Sequence, residues 1–143
     1  MGQHKRTMGL DIGMRRIGVA ISDALGLTAQ PIETVQVSPR GGKAHIARIA
    51  ELVAEHGVEE IVAGVPLEMS GKAGTMARRV RRMLTQIEAA TGQTIIELDE
   101  RLTTRQAERA LKQGKVGWQQ RRDVVDQVAA SIILQAHLNA QAR

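Results

Sequence analysis

Apolar residues recur along this chain with two different periods, and the places where the period changes mark its elements. Met8 to Asp11 is a short apolar run that predicts a strand behind a disordered polar tail over residues 1–6. Gly13-Met14-Arg15-Arg16 is a turn, with glycine supplying the permissive backbone. Ile17, Val19 and Ile21 then alternate with Gly18, Ala20 and Ser22, the period of a strand. Gly26 breaks the run, and Ile32 to Val37 predict a third strand after Pro31. Two hairpin-like links in succession imply an antiparallel meander.

Past Pro39 and Gly41-Gly42 the period lengthens. Ile46, Ile49, Ala50 and Val53 recur at i, i+3, i+4 and i+7, the stripe of an amphipathic helix, and Gly57 stops it. Ile61 to Val65 predicts a short buried strand ended by Pro66. A loop with Gly71 and Gly74 leads to a second helical stripe of Met76, Val80, Met83, Leu84 and Ile87, closed by Gly92. Thr94 to Leu98 predicts another strand. Thr103 or Thr104 is a suitable N-cap for a short helix ending near Gly114. Lys115 to Arg122 reads as a basic linker, and a last helix starts near Asp123 and runs almost to the end. The order β-β-β-α-β-α-β-α-α has no repeat and no linker long enough to part domains. It predicts one α/β domain over residues 1–143, a five-stranded mixed sheet flanked by helices. Its first three strands are antiparallel and the fourth and fifth parallel.

Composition narrows the chemistry. The 143 residues are 43% hydrophobic, too apolar for a disordered chain, and carry a formal net charge of +5 that points to an anionic partner. The chain has no Cys, which removes a disulfide scaffold, a zinc finger and a thiol nucleophile. Trp118 is its one aromatic residue, so bases splayed out and stacked on rings are not expected. A nucleic acid would be gripped by its phosphates. No signal peptide and no apolar run of about 18 residues appears, so a cytoplasmic protein without a membrane span is expected.

Several acidic residues stand where surface decoration explains them poorly. Asp11 ends the first strand in Gly9-Leu10-Asp11-Ile12-Gly13, where a core strand has little use for a carboxylate unless it caps the following turn. Asp99 and Glu100 lie just past the predicted fifth strand; for one of them a polar loop or a helix start is explanation enough. Asp126 sits off the polar stripe of Gln127, Ser131 and Gln135, at the edge of an apolar face with Ala129 and Ile133. A carboxylate there needs a charge partner, a metal or a shifted pKa. The competing explanation is an ion pair with a nearby Arg. If the parallel strands of Asp11 and Glu100 (or Asp99) are neighbours and the last helix packs on the sheet, Asp126 reaches the same point. Carboxylates converging so would repel, and Mg²⁺ or Mn²⁺ resolves this because hard divalent ions take oxygen ligands. Such ions serve phosphodiester hydrolysis, a chemistry that needs no Cys, His or aromatic residue.

Together these segments resemble the YqgF/RuvX family. Gly9-Leu10-Asp11-Ile12-Gly13 with Arg16-Ile17-Gly18-Val19-Ala20 resembles its opening, and Ala63-Gly64-Val65-Pro66-Leu67 with Gly71 its central loop. That loop usually reads Gly-Leu-Pro; here it is Gly64-Val65-Pro66. Asp99-Glu100-Arg101-Leu102-Thr103-Thr104 with Ala107-Glu108 resembles its most distinctive motif, and Val125-Asp126-Gln127-Val128-Ala129-Ala130 with Ile133-Leu134-Gln135 its final helix. The matches run in order from residue 9 to residue 138. The resemblance implies a ribonuclease H-like fold, shared with RuvC resolvases, and a metal-dependent nuclease. By motif position its acidic triad, catalytic and metal-holding, would be Asp11, Glu100 and Asp126. It further implies either maturation of the 5′ end of 16S ribosomal RNA from its precursor or resolution of four-way DNA junctions.

The basic residues fit that picture. Arg15 and Arg16 follow Asp11 across a turn, and Arg101 follows Glu100, so guanidinium groups are expected beside the acids. They would hold phosphate oxygens or pair with the carboxylates. Thr103 and Thr104 would donate to phosphate or cap a helix. Arg78, Arg79, Arg81 and Arg82 lie off their helix's apolar stripe and are expected in solvent, whereas Glu51, Glu55, Glu59 and Glu60 mark a surface turned away from nucleic acid. His4, His45, His56 and His137 show no metal-ligand spacing and are expected at the surface or in tails; Met76 and Met83 are expected in the core. The preferred partner is structured, pre-ribosomal RNA met by a monomer or weak homodimer; a branched DNA substrate instead predicts a stable dimer. A nucleotide-binding protein of the actin and sugar-kinase type would need two such domains. A non-catalytic nucleic-acid binder should have lost an acid, and none is lost.

Overall fold

The computed structural model describes residues 5–65, 74–99 and 118–141. In chain order they form β1 (Thr7–Ile12), β2 (Arg16–Ser22), β3 (Ala29–Gln36), α1 (Ala44–Glu55), β4 (Glu60–Val65), α2 (Thr75–Thr91), β5 (Ile95–Asp99) and α3 (Trp118–Gln141). The strands make one sheet in the order β3-β2-β1-β4-β5. β2 is antiparallel to both β1 and β3, and β4 is parallel to both β1 and β5. The expected mixed sheet is therefore present.

Alternation along the strands divides the core into two layers. Met8, Leu10, Ile17, Val19, Ile61 and Val65 face α1 and α2, where Ile49, Leu52, Val80 and Ile87 complete the larger cluster. Ala20 and Val62 face the other way and meet Ala130, Ile133, Leu134 and Leu138 of α3. Gly57, two residues past the end of α1, and Gly92, one past the end of α2, both take the left-handed conformation that ends a helix. Glu59 and Glu60 donate their backbone N–H groups to the Arg6 carbonyl at 2.8 and 3.3 Å, so the start of β4 is tied to the chain just ahead of β1. No helix among the described residues is long and apolar enough to cross a membrane.

Several boundaries move. β3 begins at Ala29 rather than Ile32 and takes in Pro31. It is an edge strand, and Val19 pairs with Glu33 while Ala20 pairs with Pro31, leaving Ile32 as the extra residue of a bulge. Edge and bulge are where a strand tolerates proline. β5 extends to Asp99, which pairs with Val65 and so lies within the sheet, not past it. α3 starts at Trp118, five positions ahead of Asp123, so the second half of the presumed basic linker is helical. The short helix expected between Thr103 and Gly114 lies outside the described residues. Met76, expected in the core, is 43% exposed at the start of α2, while Met83 is buried as expected.

Candidate active site

The site starts from strand register. Asp11, one residue from the end of β1, is flanked in the sheet by Gly18 of β2 and Gly64 of β4. Paired residues share a face, so Asp11, Gly18 and Gly64 all point toward α3, and neither neighbour presents a side chain beside the carboxylate. α3 descends onto this spot. A Cβ on Gly18 would run into the carbonyl oxygen of Asp126, and one on Gly9 would stand 2.7 Å from Leu134 Cβ and 2.8 Å from the Ala130 oxygen. The helix backbone thus lies directly on Gly9 and Gly18, a seam that only glycine permits. Asp126 is one turn before Ala130 on the sheet-facing stripe, which puts its backbone over the cross-strand partner of Asp11. The acids are 115 residues apart in sequence (126 − 11) and adjacent in the fold.

The two acids share their corner with Arg16. Arg16 Nε donates to Asp126 Oδ2 at 2.7 Å, with the two side chains 28% and 16% exposed. The ion pair named as the alternative explanation of Asp126 is thus formed. The turn that delivers Arg16 is tied twice: the Gly13 N–H donates to the Arg16 carbonyl and the Val37 N–H to that of Arg15, each at 2.9 Å. Arg15 itself is exposed.

The structure brings Asp11, Asp126 and Arg16 together, with Arg15 on the same turn. It does not make β1 and β5 neighbours. β4 intervenes, with Gly64 paired to Asp11 on one side and to Leu98 on the other, so β5 is two strand spacings from β1, about 9.5 Å. Asp99 pairs with Val65, whose side chain belongs to the α1/α2 layer, so Asp99 stands on the face opposite Asp11. Glu100, Arg101, Thr103 and Thr104 lie outside the described residues. Among the described residues no three His, Asp or Glu side chains gather as a metal-binding group.

Elsewhere, polar residues depart from their expected places. His137 is buried and its Nε2 lies 2.8 Å from Glu60 Oε1, which also accepts from Thr7 Oγ1 at 3.3 Å. Glu60 therefore belongs to the seam with α3 and not to the acidic surface of α1. His45 is buried too, and its Nδ1 has no partner among the described residues. Burial alone holds its imidazole below the ordinary histidine range. Both histidines fall four residues from a core isoleucine, a spacing legible in the sequence: His45 before Ile49, His137 after Ile133. On α1, Arg48 binds Glu33 of β3 through Nε and Nη2 at 2.9 and 2.7 Å and reaches Glu51 and Glu55. The Arg48 guanidinium holds the Glu33 carboxyl below the usual carboxylate range. Gly18 and Gly64, which clear the space around Asp11, stand within two of the motifs quoted above, but their spacing alone did not reveal this role.

A family model described as RuvX: Holliday junction resolvase matches residues 5–140. The chain belongs to the RuvX family. Relatives named "Putative pre-16S rRNA nuclease" align over nearly its whole length. One from Myxococcus xanthus is 46% identical over 135 residues, covering 94% of this chain and 88% of the relative. One from Moorella thermoacetica is 45% identical over 134 residues, covering 94% of each. Among solved structures, Thermus thermophilus RuvC in complex with a Holliday junction substrate superposes with a TM-score of 0.63 at 19% identity, covering 97% of this chain and 96% of that one. Fowlpox virus resolvase, solved with Holliday junction DNA, gives 0.57 at 11% identity, covering 96% and 99%. At such identities the likeness is one of fold. This RuvX-family chain has the ribonuclease H-like fold of RuvC-type resolvases, and the sheet order agrees with it.

Proposed function

We propose that this chain is a metal-dependent nuclease that hydrolyses phosphodiester bonds in pre-16S ribosomal RNA. The observation that carries the reading is that the Asp126 turn of α3 lies on Gly18, the cross-strand partner of Asp11, with Arg16 paired to Asp126. Membership of the RuvX family and the names of its relatives support the same activity.

The donor set fits a hard divalent ion. Carboxylate oxygens are what Mg²⁺ and Mn²⁺ take, and the Arg16 contact marks the corner as one that favours positive charge. Asp99 faces away from Asp11, which disfavours it as the second acid, and Glu100 is the reading that remains. Asp11, Glu100 and Asp126 would hold the ion. When bound, it supplies activation of water and stabilisation of the leaving oxygen. The chain's own residues do the rest. Arg15, Arg16 and Arg101, with Thr103 and Thr104, grip phosphate oxygens and set the backbone of the substrate against the acids. With no Phe or Tyr in the chain, recognition runs through backbone shape and carries little sequence preference.

The test compares purified protein, with Mg²⁺ or Mn²⁺, on precursor ribosomal RNA and on a four-way DNA junction. Cleavage of the RNA alone, absent from Asp11→Asn, is the expected result. Cleavage of the junction alone overturns the substrate. Cleavage of neither overturns the nuclease reading.

A further inference from the structure

Arg16 lies on one of the two carboxylate oxygens that Asp126 would offer to a metal. Its Nε is 2.7 Å from Asp126 Oδ2, and neither side chain is more than 28% exposed, so the pair is not a loose surface contact. The backbone of Arg16 cannot withdraw: the residue pairs with Gln36 of β3, and its carbonyl is held by the Gly13 N–H. Its side chain, by contrast, is long and rotatable. The exposed Arg15 next to it shows that the same turn also sends a guanidinium out to solvent.

Two carboxylates at one corner require a counter-charge at all times, because half-buried acids without one are costly. A guanidinium and a divalent ion cannot both lie against the same carboxylate oxygen without strong mutual repulsion. We propose that Arg16 is a positioning residue: it holds Asp126 as a built-in, displaceable cation in the metal-free protein and passes to a substrate phosphate when a divalent ion takes Asp126. This deepens the proposed function and rests on Asp11 and Asp126 being metal-holding carboxylates. It makes loading of the site coupled. Metal frees Arg16 for phosphate, and phosphate, by keeping Arg16 away, strengthens metal binding by the same factor.

The experiment is calorimetric titration of Mn²⁺ into the nucleic-acid-free protein, beside steady-state cleavage of precursor RNA. Arg16→Gln is expected to bind Mn²⁺ at least about fivefold more tightly than wild type, yet to need more RNA for half-maximal cleavage. Arg16→Lys keeps the charge without the planar fork and is expected between the two. A merely structural defect would weaken both readouts, so opposite signs identify displacement. Mn²⁺ affinity unchanged or lowered in a cooperatively melting Arg16→Gln overturns the proposal. If Arg16→Gln does not fold, Arg16→Lys binding Mn²⁺ no better than wild type does the same. Asp126→Asn in the same titration separates the two levels. Loss of Mn²⁺ binding there, with no tightening in Arg16→Gln, removes only the role of Arg16. Undiminished Mn²⁺ binding in Asp126→Asn removes the metal reading, and this proposal with it.

Discussion

Asp126 is a helical residue on a sheet-facing stripe, one turn before Ala130, and every other buried position of that stripe down to Leu138 is small, apolar or His137. An acid in that place is stable only with a cation, and Arg16 supplies one. Asp11→Asn and Asp126→Asn keep size and hydrogen bonding while removing charge. Each is expected to lower metal-dependent cleavage about a thousandfold or more, since a bound ion supplies several kcal/mol of transition-state stabilisation, with far-ultraviolet circular dichroism unchanged. Full activity in both would remove the acids from the mechanism. His45 allows a residue-scale test of stability. Its folded pKa lies below the ordinary value of 6.5, so as pH falls through 6.5 the unfolded chain binds a proton that the native protein does not. Native stability is therefore complete above that pH and declines below it. Thermal melts from about pH 8 to about pH 5 should show this decline, and His45→Leu should flatten it; an equal slope in both proteins would mean that other groups cause it.

At the scale of elements, α3 is the part that assembles the site. Its contact with the sheet depends on Gly9 and Gly18 having no side chain, because Ala130, Leu134 and the Asp126 backbone fill the space where a Cβ would go. Gly18→Ala forces the helix outward by its Asp126 turn. The expected cost is about 1–3 kcal/mol in urea unfolding, with a loss of cleavage larger than the loss of stability explains. A variant as stable and active as wild type would show that α3 is not seated by Gly18. The sequence periods predicted most elements, since each needs only its own residues to declare itself. They placed the boundaries of β3 and α3 less well. Pro31 reads locally as a strand breaker and is accepted because β3 is an edge with a bulge. Lys115 to Arg122 reads as a linker by charge, yet helix already runs from Trp118.

Across the described residues, two of the acids expected to turn away from nucleic acid do so. Glu51 and Glu55 lie on α1 with Arg48, on the opposite side of the sheet from α3 and the Asp11 face. Glu60 is the exception, turned into the α3 seam by its pairing with Thr7 in β1. The exposed guanidinium of Arg15 stands at the end of the sheet where Asp11 lies. Arg15→Ala is expected to weaken binding of any RNA or DNA duplex by a similar factor and to reduce the slope of log affinity against log salt by about one. A sequence-dependent effect, or an unchanged slope, would mean that Arg15 does not meet phosphate.

The sequence by itself determined the periods, the glycine stops, the basic and nearly ring-free composition, and the acids that surface decoration could not explain. These are local properties, carried by neighbours within a few turns or strand residues. Only the tertiary structure decided that β4 lies between β1 and β5, that Asp99 faces away from Asp11, and that Arg16 meets Asp126. Each of these depends on strand order, register, or a helix crossing between residues about a hundred positions apart. No local pattern contains such a relation, because it is set by which faces must be buried together.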